Sequence, residues 1–343
     1  MKIGLVGSIH ELGWEVLRSQ GHSIIEVTDV SANNLKKELA DVSGIVLRTA
    51  QMPNEVIDAC PNLQIIARHG VGYDNVDLNY LNKKKIALGV GVGYDNVDLN
   101  YLNKKKIALG VTGTANAVSV AEHVMTFFLQ LTKNIHLSDE LTRKGKFQEK
   151  GNLPAFFELY QKNVLILGFG RIGQAVAKRC LGFEMNVYVY DPYVSKDTIE
   201  KMGCHSILIE DGFKLADFVS VHLPLNDKTK NFINAKSFQE MKDSCVIVNT
   251  ARGGIINEQD LYQALKDKKL RAAGLDVYEQ EPPPSDHPLF DLSNVLLTPH
   301  NAALTLECRM RMAVEVCETV SFYLKNKEKL NLQNIINRKE LGI

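Results

Sequence analysis

Along this chain the apolar positions fall into two rhythms. Short β-branched runs, "KIGLVG", "SIIEVT", "GIVLRT" and "LQIIARH", read as strands, and the first few are separated by stretches with apolar residues at helical spacing. A second series starts at "NVLILG" and continues through "NVYVYD", "FVSVHLP", "CVIVNTA", "AAGLDVY" and "NVLLTPH". Strands alternating with helices predict parallel sheets built from βαβ units. Residues 117–135, "AVSVAEHVMTFFLQLTKNI", read as one long helix, and 304–329 as another. Two α/β domains are therefore expected. The first covers 1–113, completed by 303–343, and the second covers 114–302. A cleft between such domains is the expected place for a small-molecule site.

One stretch breaks the pattern. "GVGYDNVDLNYLNKKKIALGV" occurs twice, at 70–90 and again at 91–111, with every position identical. Identity at that level points to a recent tandem duplication, an engineered insertion or an assembly error. Two copies are too few for a solenoid. Each copy reads as a loop, a short helix and a short strand. The extra copy therefore adds one βα-like unit or is extruded as a long loop.

Composition narrows the classes. Lys plus Arg equals Asp plus Glu, so the formal charge is zero, and nothing favours nucleic acid or an anionic membrane surface. No apolar run approaches membrane-spanning length, and "MKIGLVGSIHELG" reads as a strand with turn residues rather than a signal peptide. The six cysteines form no CxxC pair, so no metal site is expected. Scattered thiols fit a reducing cytoplasm.

Chemistry enters at "NVLILGFGRIGQAVAKRC". Gly168, Gly170 and Gly173 stand in GxGxxG spacing, after an apolar run and at the head of a helical one. The first glycine suits a tight turn, the second a close approach of backbone to pyrophosphate at the helix N-terminus, the third close packing of helix on strand. Asp191 ends the next strand, where a carboxylate accepts from ribose hydroxyls and repels a 2′-phosphate. The expected cofactor is NAD rather than NADP. An earlier "GLVGS", with Gly4 and Gly7, lacks the third glycine and a spaced acid, and reads as an ordinary strand-end turn.

Three further strand ends deliver Arg252 in "VIVNTARGG", Glu281 in "GLDVYEQEPP" and His300 in "VLLTPHNAA". Ligands of open parallel sheets collect at such ends. Reducing a 2-keto acid needs a proton for the carbonyl oxygen, a grip on the carboxylate and polarisation of the carbonyl. An imidazole can supply the proton. A neighbouring carboxylate favours its charged form and fixes its tautomer. A guanidinium can fork onto the carboxylate.

With these residues in view the chain resembles the D-isomer-specific 2-hydroxyacid dehydrogenases over nearly its whole length. The resemblance rests on "RHGVGYDNVDL", "NAVSVAEHV", "LGFGRIGQAVAKR", "DPY", "HLPL", "VNTARGG", "GLDVYEQEPP" and "LTPHNAA", in the family's order. It implies two Rossmann-like or flavodoxin-like domains and catalytic roles for Arg252, Glu281 and His300. It further implies that Thr250 and Asp276 approach the nicotinamide, that His222 and Pro224 lie near the adenosine, and that Arg171 and Ile172 face the pyrophosphate. His123 in "AEHV" matches a family position and reads as structural. Relatives are mostly dimers through a region that includes 118–131, so a homodimer is expected.

The resemblance also gives the repeat a meaning. In relatives one such loop offers backbone N–H groups to the substrate carboxylate, here through Val71 and Gly72. Copy one keeps the expected upstream neighbour "LQIIARH", and copy two keeps the downstream "TGTANA". The expected arrangement uses the loop of copy one and the strand of copy two. The alternative expels 70–90 after His69. Arg68 resembles an arginine that meets the substrate phosphate in phosphoglycerate dehydrogenases; a surface ion pair is the other reading. Hydroxypyruvate, glyoxylate and other D-2-hydroxy acids stay open as substrates. No additional C-terminal regulatory domain is expected, and so no serine feedback through one. Two rival readings stand beside the enzyme: an NAD-sensing corepressor, which shares the fold and the Arg–Glu–His set, and an enzyme impaired by the duplication. The formate dehydrogenase branch is disfavoured, because it has Gln where Glu281 stands.

Overall fold

The computed structural model describes residues 1–48, 50–69 and 115–325, together with the backbone of Ala87–Val90 and Gly110–Val111. Two units emerge, one of Met1–Asn116 with Leu304–Ile343 and one of Ala117–Ala303.

In the first unit the apolar runs become strands β1 (Lys2–Val6), β2 (Ser23–Val27), β3 (Gly44–Leu47), β4 (Ile65–Arg68), β5 (Ala87–Val90) and β6 (Gly110–Val111). They form one parallel sheet in the order β2-β1-β3-β4-β5-β6. Side chains alternate between its faces. Ile3, Leu5, Val46, Ile65 and Ala67 pack with Leu17 and with Ala313, Val316, Cys317 and Val320 of the closing helix, Leu306–Lys325. Val6, Ile45, Leu47 and Ile66 pack on the other face with Leu35, Leu39 and Val56. Both faces are covered, which is why these strands read as continuous apolar runs rather than alternating ones.

The repeat folds differently from expectation. The strand of copy one, β5, pairs with β4, with Ile65 opposite Ala87 and Arg68 opposite Val90. The strand of copy two adds outside it, so that Gly89 meets Gly110 and Val90 meets Val111, each residue facing its own duplicate. Copy two therefore does not take the seat beside β4, and copy one is not expelled. The physical reason is chain economy. The nearer strand closes a shorter loop onto β4, and the second strand then satisfies its backbone groups at the open edge. The loops of both copies, with Val71 and Gly72, lie outside the described residues.

The second unit holds β7 (Asn163–Leu167), β8 (Asn186–Tyr190), β9 (His205–Ser206), β10 (Phe218–Val221), β11 (Val246–Asn249), β12 (Ala272–Leu275) and β13 (Val295–Leu297). The sheet is parallel, in the order β13-β12-β11-β10-β7-β8-β9. Strand order reverses between β7 and β10, and ligands bind beyond the carboxyl ends of the strands at such a switch point. Val164 and Ile166 face a cluster with Val124, Phe127 and Phe128, while Leu165 and Leu167 face Phe213, Phe238 and Leu261. The predicted long helix is shorter than expected. It ends at Lys133 as α1 (Ala117–Lys133), because Asn134 takes a left-handed φ of 47°, and Ile135 begins a separate helix, Ile135–Arg143.

All six cysteines are buried. Burial pushes the Cys60 and Cys204 thiols up to about 11, and those of Cys180, Cys245 and Cys317 up to about 12. Among the described residues no helix is long and apolar enough to cross a membrane.

Candidate active site and cofactor cradle

The glycine turn follows β7 at the switch point. Gly168 sits at φ +94°, and a Cβ there would lie 2.6 Å from the His222 carbonyl oxygen, so only glycine fits. A Cβ on Gly173 would lie 2.1 Å from the Gly168 carbonyl oxygen, which is the close helix–strand contact expected of the third glycine. Gly170 differs: a Cβ there would meet nothing within 4 Å. It caps the helix Arg171–Gly182 and faces open space at the point where first-turn N–H groups lack intrahelical partners. Arg171 and Ile172 are the first two residues of that helix.

Asp191 is drawn to the same turn. Its Oδ2 accepts from the Phe169 N–H at 2.7 Å, and its Oδ1 from the N–H groups of Tyr193 and Val194 at 2.8 and 3.2 Å. The carboxylate is thus fixed beside the glycines. Across the switch point, His222 follows β10 and its Nε2 lies 2.7 Å from Ser220 Oγ. Burial pushes this imidazole down to about 3. Pro224, exposed, follows it, and its carbonyl accepts from Thr229 Oγ1 at 2.6 Å.

Among the described residues, three buried polar atoms near these strand ends have no hydrogen-bond partner: His222 Nδ1, Thr250 Oγ1 and Asn301 Oδ1. Buried polar groups are normally paired. Orphans spread along the carboxyl edge of one sheet, beside an open glycine turn, fit a dinucleotide laid across it.

Glu281 and His300 come together. His300 Nδ1 donates to Glu281 Oε2 at 2.7 Å, and Glu281 Oε1 accepts from the Tyr278 N–H at 3.1 Å. Both side chains stay partly open to solvent, at 41% and 36%. Burial raises the Glu281 pKa, but the hydrogen bond and charge of His300, the Tyr278 N–H and the charge of Arg252 outweigh it, and the group lies below its ordinary range. Arg252 is anchored at the end of β11. Its carbonyl accepts from Asn249 Nδ2 at 2.8 Å, and its Nη1 donates to the Ala251 carbonyl at 2.7 Å. His300 holds a left-handed φ of 49°, a conformation that costs a non-glycine residue about 1–3 kcal/mol and persists only where its surroundings enforce it.

Asp276, expected near the nicotinamide, directly follows β12 at the same carboxyl edge of the sheet. Its carboxylate is 1% exposed and is committed to the His300 segment. Oδ1 accepts from Thr298 Oγ1 and the Asn301 N–H, and Oδ2 from the Ala302 N–H. His123, read as structural, lies 3.1 Å from Thr298 Oγ1. Sequence reasoning singled out the segments that hold Thr298 and Tyr278 but gave neither residue a role, and their contact joins positions 20 residues apart.

The first unit carries Arg68 at the end of β4, with its Nη1 donating to the His69 carbonyl. Arg48, just past β3, donates to the Ser8 carbonyl at 2.9 Å. Burial pushes His69 down to about 4; the charges of Arg48 and Arg68 add to that, and backbone hydrogen bonds oppose it. Arg48 was missed in the sequence, although "VLR" is the same strand-end pattern as "IAR".

Comparison with known proteins fits this arrangement. Residues 125–302 match the NAD binding domain of the D-isomer specific 2-hydroxyacid dehydrogenases, and residues 3–90 match the family's catalytic domain. The catalytic-domain match ends with copy one of the repeat, so copy two lies between the matched segments. A D-3-phosphoglycerate dehydrogenase of Archaeoglobus fulgidus is 35% identical over 338 residues, covering 98% of this chain and 59% of the relative. A hydroxypyruvate reductase of Thermotoga maritima is 36% identical over 311 residues, covering 86% and 90%. A solved glyoxylate reductase of Paecilomyes thermophila superposes with a TM-score of 0.76 at 25% identity, over 99% of each chain. The chain spans about half to three fifths of the length of the phosphoglycerate dehydrogenases it matches. NAD is the cofactor of the second unit. Matched domains, strand order and relatives converge, and the chain belongs to the D-isomer specific 2-hydroxyacid dehydrogenase family.

Proposed function

We propose that the protein is an NAD-dependent oxidoreductase that interconverts a D-2-hydroxy acid and its 2-keto acid. The observation that carries this reading is the pair of His300 Nδ1 and Glu281 Oε2 at 2.7 Å, with the charge of Arg252 acting on the same carboxylate. NAD supplies or accepts the hydride. Gly168, Gly170, Arg171, Ile172 and Gly173 hold its pyrophosphate, Asp191 its adenosine ribose, His222 and Pro224 the adenosine end, and Thr250 and Asp276 the nicotinamide end.

In the reducing direction His300 gives the proton to the carbonyl oxygen. Its Nδ1 is held by Glu281, which leaves Nε2 to carry the transferred proton. Arg252 grips the carboxylate and leans on the carbonyl oxygen. Val71 and Gly72, which lie outside the described residues, are our candidates for the backbone N–H groups that receive a substrate carboxylate. Arg68, joined by Arg48, suits a phosphate on the substrate, so 3-phosphoglycerate is the first candidate and hydroxypyruvate the second. The protein works as a cytoplasmic homodimer. Val118, exposed, falls in the region by which relatives pair, and Ile135, Phe147, Phe156 and Tyr160, also exposed, follow it in the chain.

The test is NADH oxidation across a panel of 2-keto acids with and without a phosphate, alongside His300→Gln. Turnover is expected for the wild type. In the variant it is expected to fall about 10²–10⁴-fold, the contribution of a general acid, with NADH binding kept. Retention of more than about a tenth of the rate would count against the role of His300.

A further inference from the structure

We propose that Thr298 is the positioning residue of the proton donor, tying the His300 turn and the Glu281 loop to one buried point; the inference rests on the function proposed above. Thr298 lies between β13 and His300 and uses every polar atom it has on that side. Its hydroxyl carries one proton. Asp276 is an acceptor only, so the proton lies toward Oδ1, at 2.5 Å. The hydroxyl oxygen must then accept from His123 Nε2 at 3.1 Å, which fixes His123 as the Nε2–H tautomer. Burial lowers the His123 pKa and the nearby Asp276 carboxylate opposes that shift; the net direction is down, which agrees with a neutral ring.

The Thr298 carbonyl accepts twice, from the Tyr278 hydroxyl at 3.0 Å and from the His300 N–H at 3.1 Å. Tyr278 also donates its own N–H to Glu281. One residue thus stands one step from both members of the catalytic pair. The two N–H groups that follow His300 close on the same Asp276 carboxylate. The left-handed turn at His300 is enforced from both sides, and the hydroxyl of Thr298 decides where Asp276 sits.

Four variants test this with the most active substrate of the panel: Thr298→Val, Thr298→Ser, Tyr278→Phe and His300→Gln. Thr298→Val keeps the shape and removes the hydroxyl. It is expected to lower kcat by about 10²-fold, the cost of displacing a reacting group by about 1 Å, while KM and NADH affinity hold. Thr298→Ser restores the hydroxyl and should recover most of the rate. Tyr278→Phe is expected to lower kcat about tenfold, as one lost hydrogen bond would. Combined with His300→Gln, Thr298→Val should cost nothing more, because the group it positions is already gone.

Equal losses in Val and Ser, or the full loss repeated on top of His300→Gln, would reduce Thr298 to a folding residue and overturn the inference. If the Val variant does not fold, Tyr278→Phe decides, and wild-type kcat there overturns the inference as well. Wild-type turnover in Thr298→Val beside an inactive His300→Gln would sink this inference alone. Wild-type turnover in His300→Gln would remove the functional reading and this inference with it.

Discussion

Asp191 shows how one side chain links cofactor choice to geometry. Its carboxylate is pinned beside the glycine turn by three N–H groups. Asp191→Ala is expected to weaken NAD and to narrow its preference over NADP, read from KM values for both cofactors. An unchanged preference would place the ribose elsewhere. His69 makes a different prediction. It is neutral in the folded state down to about pH 4, whereas an unfolded imidazole takes up its proton near 6.5. The unfolded chain therefore binds more protons between these values. Stability is fully present above pH 6.5 and is lost as pH falls toward 4, by about 1.4 kcal/mol per pH unit at most. Urea titrations at pH 6.5 and 5 should show about 2 kcal/mol less loss in His69→Asn than in the wild type. Equal losses would remove His69 as a source of acid sensitivity. At this scale Arg252, Glu281 and His300, in the segments that follow β11, β12 and β13, stood out as candidates because each type suits one part of a single reaction. The contact between Thr298 and His123 was not legible, since it joins positions 175 residues apart.

Among the elements, the doubled strand is the feature the sequence announced but could not resolve. Copies identical in sequence are indistinguishable by pattern, and the choice between them rests on loop length and the open sheet edge. Strands β1–β4 and most of those in the second unit were legible from apolar runs bounded by turn residues. The two-residue β9 was not, because an exposed edge pair has no apolar signal. The break of α1 at Asn134 was hidden by apolar residues on both sides of it. Removing residues 91–111 takes away β6 and leaves β5 on β4. That chain is expected to fold, to melt at a temperature no lower than the parent and to be at least as active, checked by circular dichroism and the NADH assay. An inactive single-copy protein would make the second copy part of the working site. A bulky residue at Gly72 is expected to raise KM well above the effect of the same change at Gly93; the reverse order would assign the substrate loop to copy two.

For the whole molecule, equal numbers of acidic and basic residues leave no net charge to keep copies apart. The proposed dimer should sediment at twice the 38.3 kDa chain mass, and a monomer across the micromolar range would contradict it. The buried cysteines have a consequence of a different kind. Three of them, Cys60, Cys308 and Cys317, belong to the first unit, and Cys180, Cys204 and Cys245 to the second. Thiol reagents attack the thiolate and need access, so the folded protein should resist alkylation at neutral pH. In rising urea each trio becomes reactive when its own unit opens. Mass mapping of maleimide-labelled peptides would then give the order in which the units come apart, from six natural labels and without a single engineered site.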